Sequence, residues 1–548
     1  MKLKKIELGD KEVWPFTIPS GIIMTEPRCA AKLLNEIPWL GIWTTKSYTR
    51  EPRKGNRESI LTQYEPGSFG NAVGLANPGA EQGREQIKQA DIPDDRFVLG
   101  SSAGSCEKEF VFIIETLDDV VDGHELNFSC PHAEGHGSAI GTDPNLVYDI
   151  TRAVCQKTKK PVFAKLTPNT SNLEEIARAS VRAGARGIVA INTVGPGYYS
   201  HHGHAILTNK VGGMSGRAIM PIGLKCVREI MQAVGKEIPI IGMGGIRTAR
   251  DIEEYSEAGA DVFGIGSALA GMADRDILIY LNNLVIDLGN RTNYAGQLLK
   301  KVDMAYKGVR IQKVGSYGDF KVFKTDTSIN AKPGQFVFAA IPAGGSLQEK
   351  PFSVMDDDPF TLGVLSRGEF TRAFNQLQEG DEFYFRGPYG REVYMGAEEN
   401  KVLVAGGCGI AGINLIAKRA SALRHSAKVL LGFKTSSEIP DLTQLQKWAE
   451  GEVYVATEDG SYTGKNSVRG RVTNLFSIAN LNPNSQFFNC GPREMVDAVE
   501  RIELENGDKR RIYSSLDYIT SCGVGLCGKC ADEKGRRTCV EGPFMRAD

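Results

Sequence analysis

No apolar run of about 18 residues or more interrupts this 548-residue chain, so no membrane-spanning helix is expected. The opening MKLKKIELGD carries charge but no apolar segment, so it does not read as a secretory signal, and the cytoplasm is the expected compartment. There is no excess of charge of one sign either. Basic residues number 65 and acidic residues 66, for a net charge of -1, whereas a dedicated nucleic-acid binder would show a basic surplus. Internal repeats and low-complexity linkers are absent. Disorder as a description of the whole is excluded by a hydrophobic content of 41%. Eleven cysteines in a cytosolic chain are not expected to pair as disulfides.

What the chain has in surplus is glycine, 62 residues of 548. Glycine serves where the backbone approaches a ligand or takes a positive φ, so several phosphate-binding turns are expected. From residue 15 to 270, eight short β-rich runs recur: 15–21, 40–47, 96–104, 123–130, 161–167, 187–193, 238–245 and 262–268. Amphipathic stretches such as NLEEIARASVRAGA and ARDIEEYSEAGA lie between them, each closing on Ala-Gly-Ala, a helix stop. This alternation predicts a parallel sheet, and eight strands in this length predict a closed (β/α)8 TIM barrel, with a doubly wound sheet as the competitor. Lys46, Cys130, Lys165, Asn192, Gly244, Gly245 and Gly266 fall at the C-terminal ends of the runs, the active-site face of such a barrel. From 304 the texture becomes that of a small antiparallel β-barrel, and from 401 that of a small parallel α/β unit. The expected domains are 1–303, 304–396, 397–508 and a cysteine-rich 509–548.

The most specific motif is CGVGLCGKC followed by a fourth cysteine: Cys522, Cys527, Cys530 and Cys539. That is the spacing of a plant-type [2Fe–2S] cluster, with a zinc site as the alternative. A one-electron cluster calls for a flavin to exchange with two-electron chemistry. VAGGCGIAG (404–412), between a strand and a helix, reads as a nucleotide pyrophosphate turn through Gly406, Gly407 and Gly409. KPFSV (350–354) on the β-barrel before it would bring Lys350 and Ser353 to a flavin, and NCGP places Cys490 near a nicotinamide.

With these motifs in view, residues 304–548 resemble the electron-transfer subunit of the NAD-dependent, class 1B dihydroorotate dehydrogenases, within the ferredoxin-reductase superfamily. Lys350 stands where that family has Arg, exchanging a bidentate fork for a point charge. The first 300 residues resemble the catalytic subunit of the same enzymes through NAVGLANPG, ELNFSCP, FAKLTPN, INTV, GGMSG and IGMGGI, in that order. The resemblance implies two subunits fused in one chain. It implies Cys130 as the catalytic base or acid. Substrate contacts would come from Lys46, Asn71, Gly74, Leu75, Asn127, His132, Asn192 and Thr193. FMN would be held by Ser20, Gly21, Lys46, Ser47, Asn127, Lys165, Gly216, Gly244, Gly245, Gly266 and Ser267. Lys350, Pro351, Phe352 and Ser353 would hold FAD, and Gly406, Gly407, Gly409 and Cys490 would meet NAD. A homodimer is implied as well.

Two features depart from the family. His132 replaces a substrate-contacting Asn, giving a Cys-Pro-His sequence that is similar to dihydropyrimidine dehydrogenase. YYSHHGH (198–204) puts three histidines in one loop, either an exposed or substrate-side loop or a metal site. The leading expectation is oxidation of dihydroorotate, a small pyrimidine-like substrate, through FMN, [2Fe–2S] and FAD to NAD. The alternatives are an NADH-dependent reductase of uracil, thymine or another activated C=C, and an electron-transfer protein whose barrel no longer turns over substrate.

Overall fold

The computed structural model describes residues 3–128, 140–516 and 519–547, apart from the Asn506 side chain. The chain divides into two compact units, one built on 1–303 with 345–347 and 524–537, the other on 304–344, 348–523 and 538–548.

The first unit is the closed parallel barrel. Its strands are β1 (Phe16–Ile18), β2 (Leu40–Thr44), β3 (Phe97–Ser102), β4 (Gly123–Asn127), β5 (Val162–Lys165), β6 (Gly187–Ala190), β7 (Ile240–Met243) and β8 (Val262–Gly264). They pair in chain order, and β8 returns to β1. All eight lie inside the runs read from the sequence, and the closure rules out a doubly wound sheet. Alternation along each strand fixes what fills the barrel. Ile42, Phe97, Leu99, Phe163, Val189, Ile241 and Met243 point inward into one cluster. Their neighbours Trp43, Val98, Ala164, Ile188 and Ile240 point outward against the helices. A short hairpin, Ile6–Leu8 with Lys11–Val13, adds Leu8 and Val13 to the inner cluster. The interior is thus packed below the strands' C-terminal ends. Both Ala-Gly-Ala stops do what the pattern requires: Gly184 and Gly259 sit at φ +112° and +113°, just beyond helices Leu173–Arg182 and Ala249–Ala258. Thr248 and Asp251 close the start of the second helix with a capping box. A four-stranded sheet of Leu61–Glu65, Ser68–Asn71, Val194–Tyr198 and Val211–Gly216 is added to this unit.

The second unit opens with a six-stranded barrel: β9 (Lys307–Tyr317), β10 (Phe320–Thr325), β11 (Phe336–Ala343), β12 (Ser346–Asp357), β13 (Phe360–Leu365) and β14 (Glu382–Tyr389). Phenylalanines 323, 360, 374, 383 and 385 fill it. A parallel sheet follows, ordered β17 (Val453–Thr457), β16 (Ser426–Phe433), β15 (Asn400–Gly406), β18 (Gln486–Cys490), β19 (Ile512–Ser515), with short strands at both edges. The helix Ile410–Ala422 begins straight after the glycine turn that ends β15. Among the described residues no helix is long and apolar enough to cross a membrane.

Candidate active site

Above the packed interior of the first barrel, the C-terminal strand ends surround a cavity of about 200 Å³. Each contributing side chain arrives because its strand ends there. Lys46 and Ser47 follow β2, Asn127 and Lys165 close β4 and β5, and Asn192 and Thr193 follow β6. Ser20 and Gly21 follow β1, and Ser267 follows β8. Asn71, Gly74 and Leu75 come from the segment that leaves the added sheet. These twelve residues are ones the sequence singles out, and the structure brings them together.

A polar chain runs beneath the cavity. Ser20 Oγ lies 3.0 Å from Ser47 Oγ, which lies 2.8 Å from Ser101 Oγ, which donates to Glu125 Oε1 at 2.7 Å. The Lys165 ammonium is 3.6 Å from the same carboxylate, and both side chains are buried. Asn127 Nδ2 donates to Ser47 Oγ at 3.1 Å, and Asn192 Nδ2 to Asn127 Oδ1 at 3.2 Å. Asn71 Nδ2 donates to the Gly213 carbonyl at 3.1 Å. The amides are therefore held in register with one another. Burial pulls the Lys46 ammonium down to about 8, a shift that neighbouring Cys527 opposes. Gly74 and Leu75 both take positive φ, +74° and +52°. For Leu75 this is a strained position, of the kind kept where surrounding structure over-determines it. Asn56 supplies part of that structure by donating from Nδ2 to the Ala72 carbonyl at 2.9 Å.

Gly216, Gly244, Gly245 and Gly266 do not line this cavity; they pack the turns beside it. A Cβ on Gly245 would come within 2.8 Å of the Gly216 carbonyl, and one on Gly266 within 2.9 Å of Ile22. Cys130 and His132 lie outside the described residues. The sequence reading missed Glu125 and Ser101, which anchor the polar chain, and Ile60 and Leu61, which give the cavity an apolar wall. A carboxylate inside ELNFSCP, at a position that alternation turns inward, was the available signal for Glu125.

The cysteine segment divides between the units. Cys527 and Cys530 belong with the first, where Cys527 lines the cavity; Cys522 and Cys539 belong with the second. Gly523, Gly525 and Gly528 take φ of +80°, +75° and +69° between them. Each part is pinned by a buried arginine. Arg537 donates to the Gly525 carbonyl and to Asp274, both at 2.7 Å. Arg386 grips Glu349 through two bonds, of 2.6 and 2.7 Å, and donates to the Cys522 carbonyl at 3.0 Å. Among the described residues no three His, Cys, Asp or Glu side chains are placed to hold a metal ion. The thiol donor set has the softness that iron–sulfur clusters and zinc select. In the histidine loop, Ser200–His201 and His204–Ala205 form a short hairpin, with the His201 and His202 rings edge-on at 4.4 Å.

The second unit holds a larger cavity, about 640 Å³, lined by Gly406, Gly407 and Cys408 of the glycine turn, by the end of β16, and by Pro492, Glu494 and Met495 beyond β18. Gly409 packs directly on the Cys490 backbone. A Cβ on Gly412 would lie 2.7 Å from Cys490 Sγ and 3.6 Å from Ser353 Oγ, so the three motifs of this unit meet at one place. Lys350 is exposed and Pro351 half-buried. Phe352 stacks on Phe370, with ring centroids 6.2 Å apart.

Residues 8–278 match the dihydroorotate dehydrogenase family. The chain is 42% identical over 259 residues to the "dihydroorotate dehydrogenase B (NAD(+)), catalytic subunit" of Methanocaldococcus jannaschii, covering 46% of this chain and 83% of that protein. The proteins of the same name from Pyrococcus horikoshii and Geobacillus kaustophilus are each 40% identical. The first match spans 258 residues, 46% of this chain and 82% of the relative. The second spans 236 residues, 42% of this chain and 73% of the relative.

Proposed function

The chain belongs to the dihydroorotate dehydrogenase family, and from that premise we propose that its barrel oxidises dihydroorotate to orotate with FMN, and that a [2Fe–2S] cluster and FAD on the same chain carry the electrons to NAD. The observation that carries this reading is the convergence of Lys46, Asn71, Asn127, Lys165 and Asn192 on one cavity at the barrel mouth. The mouth suits a flavin. Two buried lysines stand over a hydroxyl and amide network, and Gly21 leaves its floor open to Lys46, whose Nζ a Cβ there would approach to 3.4 Å.

Bound in the mouth, FMN supplies a two-electron acceptor for the hydride leaving substrate C6. The residues do the rest. Asn71, Asn127 and Asn192 present donors and acceptors to a ring whose edge alternates C=O and N–H. Gly74 and Leu75, turned into the left-handed region, offer N–H groups to the substrate carboxylate. Cys130 takes the proton from C5, a role a thiol can fill as a general base near neutral pH. Lys46 and Lys165 offset negative charge developing over the mouth. Support for the later carriers is the cysteine spacing, the KPFSV strand and the glycine turn meeting Cys490. Substrate and nicotinamide both exchange hydride, so a flavin at each end of a one-electron cluster is the arrangement the cofactor chemistry asks for.

The test is anaerobic. The oxidised holoenzyme is mixed with dihydroorotate, and separately with dihydrouracil, and flavin bleaching is followed. Bleaching by dihydroorotate alone is expected. Bleaching by dihydrouracil would favour the reductase reading that Cys-Pro-His suggests. Bleaching by NADH and neither pyrimidine would leave the carriers in place and overturn the substrate.

A further inference from the structure

Among the described residues, those around the barrel cavity include Lys46 and Lys165 but no Asp or Glu. Glu125 sits beneath it, wholly buried against Lys165. Beyond the cavity, the segment 50–57 carries Arg50, Arg53, Lys54 and Arg57 within eight residues. That segment is laced to the one that lines the cavity. Arg53 and Asn77 exchange backbone hydrogen bonds of 2.8 and 2.9 Å. Asn56 N donates to the Val73 carbonyl at 3.0 Å, and a Cβ on Gly55 would lie 2.7 Å from Ala76 Cβ. On the other side, Thr208 Oγ1 donates to the Arg57 carbonyl at 2.6 Å, which ties in the turn carrying Lys210. Arg53, Lys54, Arg57 and Lys210 are all exposed. The carboxylates of the same segment are Glu51, 3.8 Å from Arg50, and Glu58. Four cations are therefore fixed within a few residues of the backbone that lines the cavity, with two carboxylates among them.

We propose that Arg53, Lys54, Arg57 and Lys210 form an electrostatic entrance to the barrel cavity that favours a carboxylate-bearing pyrimidine over a neutral one. The proposal rests on the functional reading above and deepens it, because it assigns part of the choice between dihydroorotate and dihydrouracil to residues outside the cavity. A cationic rim around a low-dielectric pocket concentrates anions and raises their association rate by about tenfold or more, and leaves neutral molecules unaffected. Exposed charges act over about 10 Å at 0.1 M salt, so the effect is screened as salt rises. Within the cavity, the Asn71, Asn127 and Asn192 amides then need to recognise only the ring, and the Gly74 and Leu75 N–H groups hold the carboxylate once it has entered.

The experiment uses the full-length holoenzyme. The second-order rate constant for anaerobic flavin bleaching by dihydroorotate is measured from about 20 mM to about 0.5 M NaCl, where screening shortens from long-range to contact distance. Wild type should lose about tenfold across that range. The variant Arg53→Gln/Lys54→Gln/Arg57→Gln should begin about fivefold to tenfold lower and vary little with salt, while its limiting bleaching rate at saturating substrate stays that of wild type. Arg53→Lys/Arg57→Lys, which keeps the charge, should follow wild type and so separates charge from loop shape. A flat salt profile in wild type, or a triple variant that loses limiting rate and second-order rate equally, overturns the entrance while the functional reading stands. Absence of bleaching by dihydroorotate in wild type overturns both.

Discussion

The barrel mouth and the cavity of the second unit are built by opposite means. The mouth encloses about 200 Å³, and its chemistry comes from side chains at the ends of different strands, locked to one another by Ser47, Ser101 and Glu125. The second cavity holds about 640 Å³ and centres on a backbone turn, with Arg367, Lys434 and Arg471 sharing its walls with Asp319, Glu438, Glu458 and Glu494. Under the proposed function the contrast has a reason. One site orients a small ring to within hydrogen-bond tolerance and holds a flavin permanently; the other admits and releases a dinucleotide. The first therefore spends buried side chains on rigidity, and the second uses glycine and mixed charge, which bind without enclosing.

Variants that silence one site and spare the other break this comparison most cleanly. Cys130→Ala should lower dihydroorotate turnover by about 10³-fold, within the range of a lost general base, while NADH-driven dye reduction stays at wild-type level. Equal loss of both activities would remove Cys130 from that role. Gly409→Val is the mirror case. Its Cβ would collide with the Cys490 carbonyl, so NADH-driven dye reduction should fall about 10²-fold, the effect of roughly 2.7 kcal/mol of misplacement, while bleaching by dihydroorotate persists. Retention of NADH activity would move the dinucleotide away from this turn. Gly74→Ala is milder. At φ +74°, with a Cβ 2.9 Å from Asn56, it should raise the KM for dihydroorotate about tenfold with little change in kcat, as expected when uniform binding is lost. A fall in kcat alone would argue against carboxylate binding there.

Much of the first unit was legible because its two periodicities agree. In-and-out alternation marks Ile42, Phe97 and Phe163, and helices closed by Gly184 and Gly259 separate the strands. The site was legible for a related reason: the residues that converge sit at strand ends, so Lys46, Lys165 and Asn192 could be placed from the runs alone, while Asn127 came from the family resemblance. Elements whose partners are distant in sequence were not. Ser68–Asn71 pairs with Val211–Gly216, and no local pattern carries that information. Ile512–Ser515 is four residues long and becomes a strand by joining Gln486–Cys490. Glu125 was missed because a carboxylate gains its meaning from Lys165 and Ser101, residues on other strands.

The smallest effect on either activity is expected at Glu503, and it tests whether the second unit's scaffold is independent of its cavity. Glu503 is buried on the helix Arg493–Asn506, with Asn489 Nδ2 donating to its Oε2 at 2.7 Å. Among the described residues its Oε1 and Asn489 Oδ1 are both buried without a hydrogen-bond partner, so no described donor reaches either acceptor while the carboxyl is ionised. Burial, which outweighs the Asn489 hydrogen bond, and the nearby Glu500 charge raise the carboxyl from an ordinary 4.5 to about 8. An acid whose pKa rises on folding stabilises the folded chain while protonated. That contribution is full below 4.5 and is lost as pH climbs to about 8, above which both states are ionised. Wild-type stability should therefore fall across this window by on the order of a few kcal/mol from this group. Glu503→Gln keeps the shape, retains an acceptor for Asn489 and adds an N–H donor. Its unfolding midpoint in denaturant should lie above that of wild type at pH 8 and match it near pH 5, while dihydroorotate bleaching and NADH-driven dye reduction change less than about twofold, since Glu503 touches neither cavity. A Gln variant that tracks wild type across the whole pH range would show that Glu503 folds as an ordinary carboxylate.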